Sequence, residues 1–349
     1  MFEDKKQQFT PISDLGEFGL IDRLTKNAKR SSETTTFGVG DDAAVIENSL
    51  EQSLLSTDLL IEGVHFDLTY VPLKHLGYKA VTVNLSDICA MNALPTQVTV
   101  SVAVSNRFPV DALDEFYEGV HAACQAYGVD LVGGDTSSSK LGFMISVTAF
   151  GQADSKSIAY RNQAQDKDLI VVSGDLGAAY MGLQLLEREK EVFKVNPDMQ
   201  PELETSDSYL LERQLKPEAR VDIVKLLKSV DCKPTSMIDV SDGLSSELMH
   251  LCKASDLGCV IYEEKLPIDP TVTSCCETFN LHQTTVALNG GEDYELLFTI
   301  PLSDFDKIKA NPSLSVIGHL CAKDQGKKLI TRGNESIELK AQGWNHSES

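Results

Sequence analysis

Six times along this chain an apolar run gives way to small residues and then to an acid. The instances are Gly40-Asp41-Asp42, Ser56-Thr57-Asp58, Leu85-Ser86-Asp87, Gly133-Gly134-Asp135, Asp239-Val240-Ser241-Asp242-Gly243 and Gly290-Gly291-Glu292-Asp293. The pattern constrains the fold because the apolar runs must be buried, while an acid beside them needs water, a base or a metal. Strand ends and strand-to-helix turns are where α/β proteins build sites. Taken singly, each instance is more readily a turn or a helix N-cap, as Ser241 and Asp242 would be before the helix that follows. Six of them beside core segments argue for a shared site. Carboxylates with neighbouring hydroxyls are hard oxygen donors suited to Mg2+ or Ca2+, and the Cys–His spacing of a zinc site is absent.

Two stretches are sharper than the rest. In "GVGDDAAVI" (residues 38–46) adjacent acids open a hydrophobic run. Neighbours in an extended chain point to opposite sides, so one acid can face metals while the other meets backbone amides or solvent. Spacing does not choose between Asp41 and Asp42. Asp87 falls inside an expected helix, where Asp is an indifferent former, and shares a face with Asn84 beside an apolar stripe. The GxGxxA match at Gly38–Ala43 is not a dinucleotide fingerprint: "SSETTTF" before it is no buried strand, and bare acids would repel a pyrophosphate. A P-loop motif is absent. The acids would accept a polyphosphate through a divalent cation, which points to metal-assisted phosphoryl transfer. His65 and Arg161 are candidate substrate and phosphate contacts, though each also reads as a structural or solvated residue.

With 349 residues, two domains are expected, 1–151 and 152–349. Acids outnumber bases 52 to 31, for a net charge of −21, which argues against a nucleic-acid backbone as partner. No apolar run reaches the length of a membrane span, and the N-terminus lacks the apolar stretch of a signal peptide. Eight scattered cysteines without a CxxC pair fit a reduced cytoplasm. Periodicity predicts alternating strands and helices. Strands are expected at "QVTVSVAV", "GFMISVTAFG" and "DLIVVS". A helix with Val81, Leu85 and Ile88 on one face is expected, as is one over "DALDEFYEGVHAACQAY" ending at Gly128. A third, after "DVSDG", should stop at Gly258. "TVALNGGEDYELLFTI" reads as two strands around a turn, residues 189–209 as a loop or frayed helix, and "FGLIDRL" as a short helix.

Together "GVGDDAAVI", "STDLLIEGVHF", "YKAVTVNLSDICAMNALP", "LVGGDTS", "YRNQAQDKDLIVVSGDLGAAYMGL", "IDVSDGLSSEL", "NGGEDYELLFTI" and "GWNH" resemble the bacterial thiamine-monophosphate kinases, in order, from about residue 15 to 346. The wider superfamily includes aminoimidazole ribonucleotide synthetase and selenophosphate synthetase. The resemblance implies an α/β fold of α+β type: a two-domain synthetase-like chain whose N-terminal sheets form a barrel in a homodimer, with a C-terminal α/β sandwich domain. It implies ATP-dependent phosphorylation of thiamine monophosphate to thiamine diphosphate by direct transfer with several Mg2+ ions. Carried over by motif, the metal ligands are Asp42, Ser56, Thr57, Asp58, Asp87, Asp135, Asp239 and Asp242. ATP is met by Gly134, Asp135, Arg161 and Ser241, and the substrate by His65, Glu292 and Trp344. The alternatives are another ATP-dependent synthetase of this superfamily, or a non-catalytic metal- or nucleotide-binding protein.

Overall fold

The computed structural model describes residues 35–37, 40–48, 51–196 and 207–340. The "FGLIDRL" helix, the middle of the 189–209 stretch, Gly38, and the tail with Trp344 lie outside these residues.

The first half builds a six-stranded sheet. Its strands are β1 (Thr35–Phe37), β2 (Ala44–Asn48), β3 (Glu51–Ile61), β4 (Leu94–Val104), β5 (Asp130–Ser138) and β6 (Phe143–Ala153), in the order β1-β2-β3-β6-β4-β5. All pairings are antiparallel except β4 with β5. Helices α1 (Leu73–Ala90) and α2 (Val110–Tyr127) cover one face. Alternation along β4 and β6 turns Val98, Val100, Val102, Ile145 and Val147 inward to that cover. On the other face Leu59 and Phe150 are exposed. Gly128, in a left-handed conformation (φ 67°), ends α2 as expected.

The second half builds a seven-stranded sheet, reached through β7 (Leu169–Ser173). Helices α3 (Ala178–Val195), α4 (Ser208–Leu215) and α5 (Val221–Ser229) follow. Then come β8 (Ser236–Asp239), α6 (Leu244–Ser255), β9 (Leu257–Tyr262), α7 (Pro270–Thr278), α8 (Gln283–Asn289) and β10 (Leu296–Ile300). Strands β11 (Leu314–Ala322), β12 (Lys327–Ile330) and β13 (Ser336–Glu338) complete the order β13-β12-β9-β11-β7-β10-β8. The expected α/β architecture with two sheets is thus the one observed.

Helix α1 differs from an ordinary amphipathic helix. Val81, Leu85 and Ile88 are buried as expected, but so is nearly every residue from Leu76 to Ala90. The first sheet and α2 cover one side, and α4, β8 and β10 cover the other. Two further readings change. "TVALN" is helix α8, since a short apolar run does not distinguish strand from buried helix. Helix α6 stops at left-handed Asp256 (φ 57°), two residues before Gly258, which instead enters β9 where a Cβ would meet Gly326 O at 2.3 Å. The helix reaching into 189–209 runs on to Val195.

The two helices on the first sheet touch backbone to backbone. A Cβ on Gly77 would lie 1.9 Å from the Phe116 carbonyl oxygen, and one on Gly119 1.9 Å from that of Lys74. Neither carbonyl can withdraw without unwinding its helix. Gly119→Ala is therefore expected to destabilise the fold by about 2 kcal/mol or more, measured as a lower urea midpoint at unchanged slope.

Candidate active site

The acids converge where α1 passes between the sheets. One carboxylate oxygen each from Asp42, Asp87 and Asp239 lie within 4.8 Å of one another. They come from the chain entering β2, from inside α1 and from the end of β8. Ser56 on β3 donates to Asp87, and Ser86 on α1 donates to Asp239 at 2.6 Å, a bond between the two halves of the chain. Asn84, fully buried, accepts the Asp58 N–H at 3.0 Å and donates to Ala80 O at 2.9 Å. It thereby ties β3 to α1 where β2 no longer pairs with β3.

Arg161 answers the question of the paired aspartates. Its Nε and Nη2 donate to the two oxygens of Asp42 at 2.8 and 2.6 Å, and its backbone N–H donates to Asp41 at 3.0 Å. Asp41 also accepts the Asp42 N–H at 3.1 Å. Asp41 therefore meets backbone amides while Asp42 faces the cluster, and the side chains of both are almost wholly buried (2% and 3% exposed).

One arginine cannot balance five neighbouring carboxylates. Burial and then the charge of Asp42 push Asp41 up to about 7 and Asp58 up to about 6. The same two causes push Asp239 up to about 8. Burial, with Asp58, Asp239 and Asp42 facing it, holds Asp87 well above the carboxylate range. Burial and then Arg161 push His250 down to about 4, so it adds no positive charge. The donors are hard oxygens in excess negative charge, which fits Mg2+ and not a soft metal.

The structure divides the expected ligands. Asp42, Ser56, Asp58, Asp87 and Asp239 lie on the α1 side of the first sheet. Thr57 lies on the other side, with its hydroxyl bonded to Val147 O and Thr148 Oγ1. Asp135 pairs with Ser101, which pairs with Ser146 and so with Leu59, a row on the side away from α1. It is exposed on edge strand β5. Gly134 precedes it, its Cα pressed so close to β4 that a Cβ would meet Val100 O at 1.9 Å. Asp58 and Asp135 lie within strands rather than at strand ends, and Asp87 lies within a helix as expected.

Asp242 opens α6, where Gly243 is the cap residue and buried Glu247 reaches back to accept the Asp242 N–H at 3.0 Å. Ser241 O accepts the Glu292 N–H at 2.6 Å, which joins the two glycine–acid turns of the second half. Glu292 is left-handed (φ 57°) and pairs with Lys79 at 3.2 Å. The Nδ1 of His65 accepts the Ile61 N–H at 3.1 Å, which leaves the ring proton on Nε2. Sequence reasoning passed over Lys79, Gln214 and Glu247, and named Ser86 only within the Leu85-Ser86-Asp87 instance. Only Lys79 carried a local signal, as a charge inside a largely apolar helix.

Residues 40–153 match the family described as AIR synthase related protein, N-terminal domain, which defines the class of the first half. Over its length the chain is 34% identical across 337 residues to thiamine-monophosphate kinase of Aquifex aeolicus, covering 96% of this chain and 99% of that one. It is 32% identical across 340 residues to the Bacillus subtilis enzyme of the same name, covering 95% and 99%. The solved structure of AaThiL complexed with AMPPCP and TMP is similar at TM-score 0.83 and 33% identity, covering 97% of this chain and 99% of that one. The chain belongs to the thiamine-monophosphate kinase family.

The raised carboxylates set a pH dependence. Without divalent cations the folded chain keeps protons that the unfolded chain releases from about pH 4 upward. Stability from this source is complete below about pH 4 and is lost as pH rises through the folded values, between about 6 and 8. Thermal scans in chelator should show Tm falling between about pH 5 and pH 8, and added Mg2+ should raise Tm more at the higher pH.

Proposed function

We propose that this chain catalyses ATP-dependent phosphorylation of thiamine monophosphate to thiamine diphosphate by direct in-line transfer. The observation that carries the reading is the convergence of Asp42, Asp87 and Asp239, buried between the sheets beside Arg161. A neutral hydrophobic ligand would find no place there. Family membership and the relative solved with AMPPCP and TMP supply the substrate pair.

In this reading Asp42, Ser56, Asp58, Asp87, Asp239 and Asp242 hold Mg2+, which when bound neutralises phosphate oxygens and lowers the barrier to transfer. Arg161 and Ser241 orient the nucleotide. His65 and Glu292 face the acceptor, with Trp344, outside the described residues, as the aromatic partner of its ring system. The attacking phosphate oxygen is already ionised, so no side chain needs to remove a proton. Alignment and charge compensation carry the rate, and the second half excludes water.

Thr57, Gly134 and Asp135 fit this scheme only through a second copy. They lie on β3 and on exposed edge strand β5, with Thr57 and Asp135 on the bare side of the first sheet, where Leu59 and Phe150 are also exposed. We therefore read the enzyme as a homodimer whose N-terminal sheets close into a barrel and bring Gly134 and Asp135 to the nucleotide. We place the domain division at 151/152, two residues before the end of β6. Eight free, buried cysteines favour a reducing cytoplasm. Among the described residues no helix is long and apolar enough to cross a membrane.

Incubation with MgATP and thiamine monophosphate should yield ADP and thiamine diphosphate by chromatography. Asp58→Ala and Asp87→Asn should each lower turnover at least about a hundredfold while leaving circular dichroism unchanged. Tight ATP binding with no product from the parent chain would favour the non-catalytic alternative.

A further inference from the structure

We propose that Lys79 is a positioning residue: its ammonium, buried between the two halves of the chain, sets where Glu292 presents itself to the acceptor. The role rests on the reading of Glu292 as an acceptor contact.

Lys79 projects from α1 with its side chain 7% exposed. Its Nζ lies 3.2 Å from Glu292 Oε1 and donates to the Gln214 carbonyl at 3.0 Å. Gln214 Nε2 donates to the other oxygen, Glu292 Oε2, at 2.8 Å. Both oxygens of the carboxylate are thus held, one by a cation of the first half and one by an amide of the second.

Each member of this triangle is itself fixed. Gln214 lies in the last turn of α4, where carbonyls lack helical partners and form the negative end of the helix dipole, a natural seat for an ammonium. Helix α4 cannot slide, because Gly182 of α3 lies so near that a Cβ would stand 2.1 Å from Leu210 O and 3.0 Å from Gln214 Cβ. Glu292 holds a left-handed backbone, and its N–H is bound to Ser241 O, beside Asp242. Seven residues, or two helical turns, beyond Lys79, Ser86 binds Asp239 from the same face of α1. One face of this helix therefore registers both the phosphate-transfer cluster and the acceptor turn. Without the ammonium, the Glu292 carboxylate would face the Gln214 carbonyl with like polarity, and its side chain would turn away from α1 while its backbone stays bound to Ser241 O. The carboxylates that serve the nucleotide would stay in place.

Steady-state kinetics with each substrate varied in turn tests this. A parent without turnover overturns the kinase reading and this role with it, whereas a parent with turnover isolates Lys79. Lys79→Met should raise KM for thiamine monophosphate roughly tenfold or more and leave KM for ATP within about twofold, because removal of the cation leaves the half-buried Glu292 carboxylate facing the Gln214 carbonyl. Since Lys79 acts through Glu292, the Lys79→Met/Glu292→Gln double variant should be no worse than Glu292→Gln alone. An unchanged acceptor KM, an equal rise in KM for ATP, or full additivity in the double variant would each overturn the proposal. If Lys79→Met does not fold by circular dichroism, Lys79→Gln, which keeps a donor and removes the charge, is read by the same criteria.

Discussion

The structure turns on the desolvation of acids around Arg161. Asp41 and Asp42 take up its backbone N–H and guanidinium, and Asp58, Asp87 and Asp239 gather behind them with no second cation among the described residues to match. Buried carboxylates at such spacing repel one another and are driven toward the protonated form. A fold gathers them only where surrounding structure over-determines their positions. Helix α1 does so, contributing Asp87, Ser86 and Asn84 to the cluster from a segment buried nearly all round.

That burial explains the polar residues inside α1. A helix covered by one sheet alone would show an apolar stripe and a solvated face. Pressed from both sides, α1 instead uses its polar residues as connectors. Asn84 holds the β3 backbone, Ser86 holds the end of β8, and Lys79 holds the 290–294 turn. The same turn is braced from below: Asp293 accepts N–H groups at the start of α3, and Arg213 and Arg220 both pair with buried Glu295. The "GGEDYEL" run is therefore a turn in which consecutive acids have separate duties. Glu292 faces the first half, while Asp293 and Glu295 face the interior of the second.

The bare side of the first sheet completes this division of labour. Thr57 and Asp135, both candidate ligands by motif, lie across the sheet from the carboxylate cluster. A single chain cannot bring both sides of its own sheet to one phosphate chain. Under the proposed dimer a second copy would supply the other side, and β5, the exposed edge strand of the first sheet, is open to it.

Much of this protein was legible in its residues. Alternating β-branched runs located β4 and β6, left-handed Gly128 closed α2, and the repeated coupling of small residues to acids marked the segments that meet at the site. Motif order alone pointed to the family. What local pattern could not supply was facing. Ser56, Thr57 and Asp58 read as one ligand cluster, yet the two-residue period of a strand sends Thr57 the opposite way. Spacing did not separate Asp41 from Asp42, and only the family resemblance named Asp42; the physical difference is Arg161, some 120 residues on, which takes one by its backbone and the other by its side chain. "TVALN" became a helix because packing, not periodicity, decides so short an apolar run. Sequence determined which residue types gather and in what order. Only tertiary structure decided which of them share a face, because burial between two sheets is a property of the assembled layers and of no single segment.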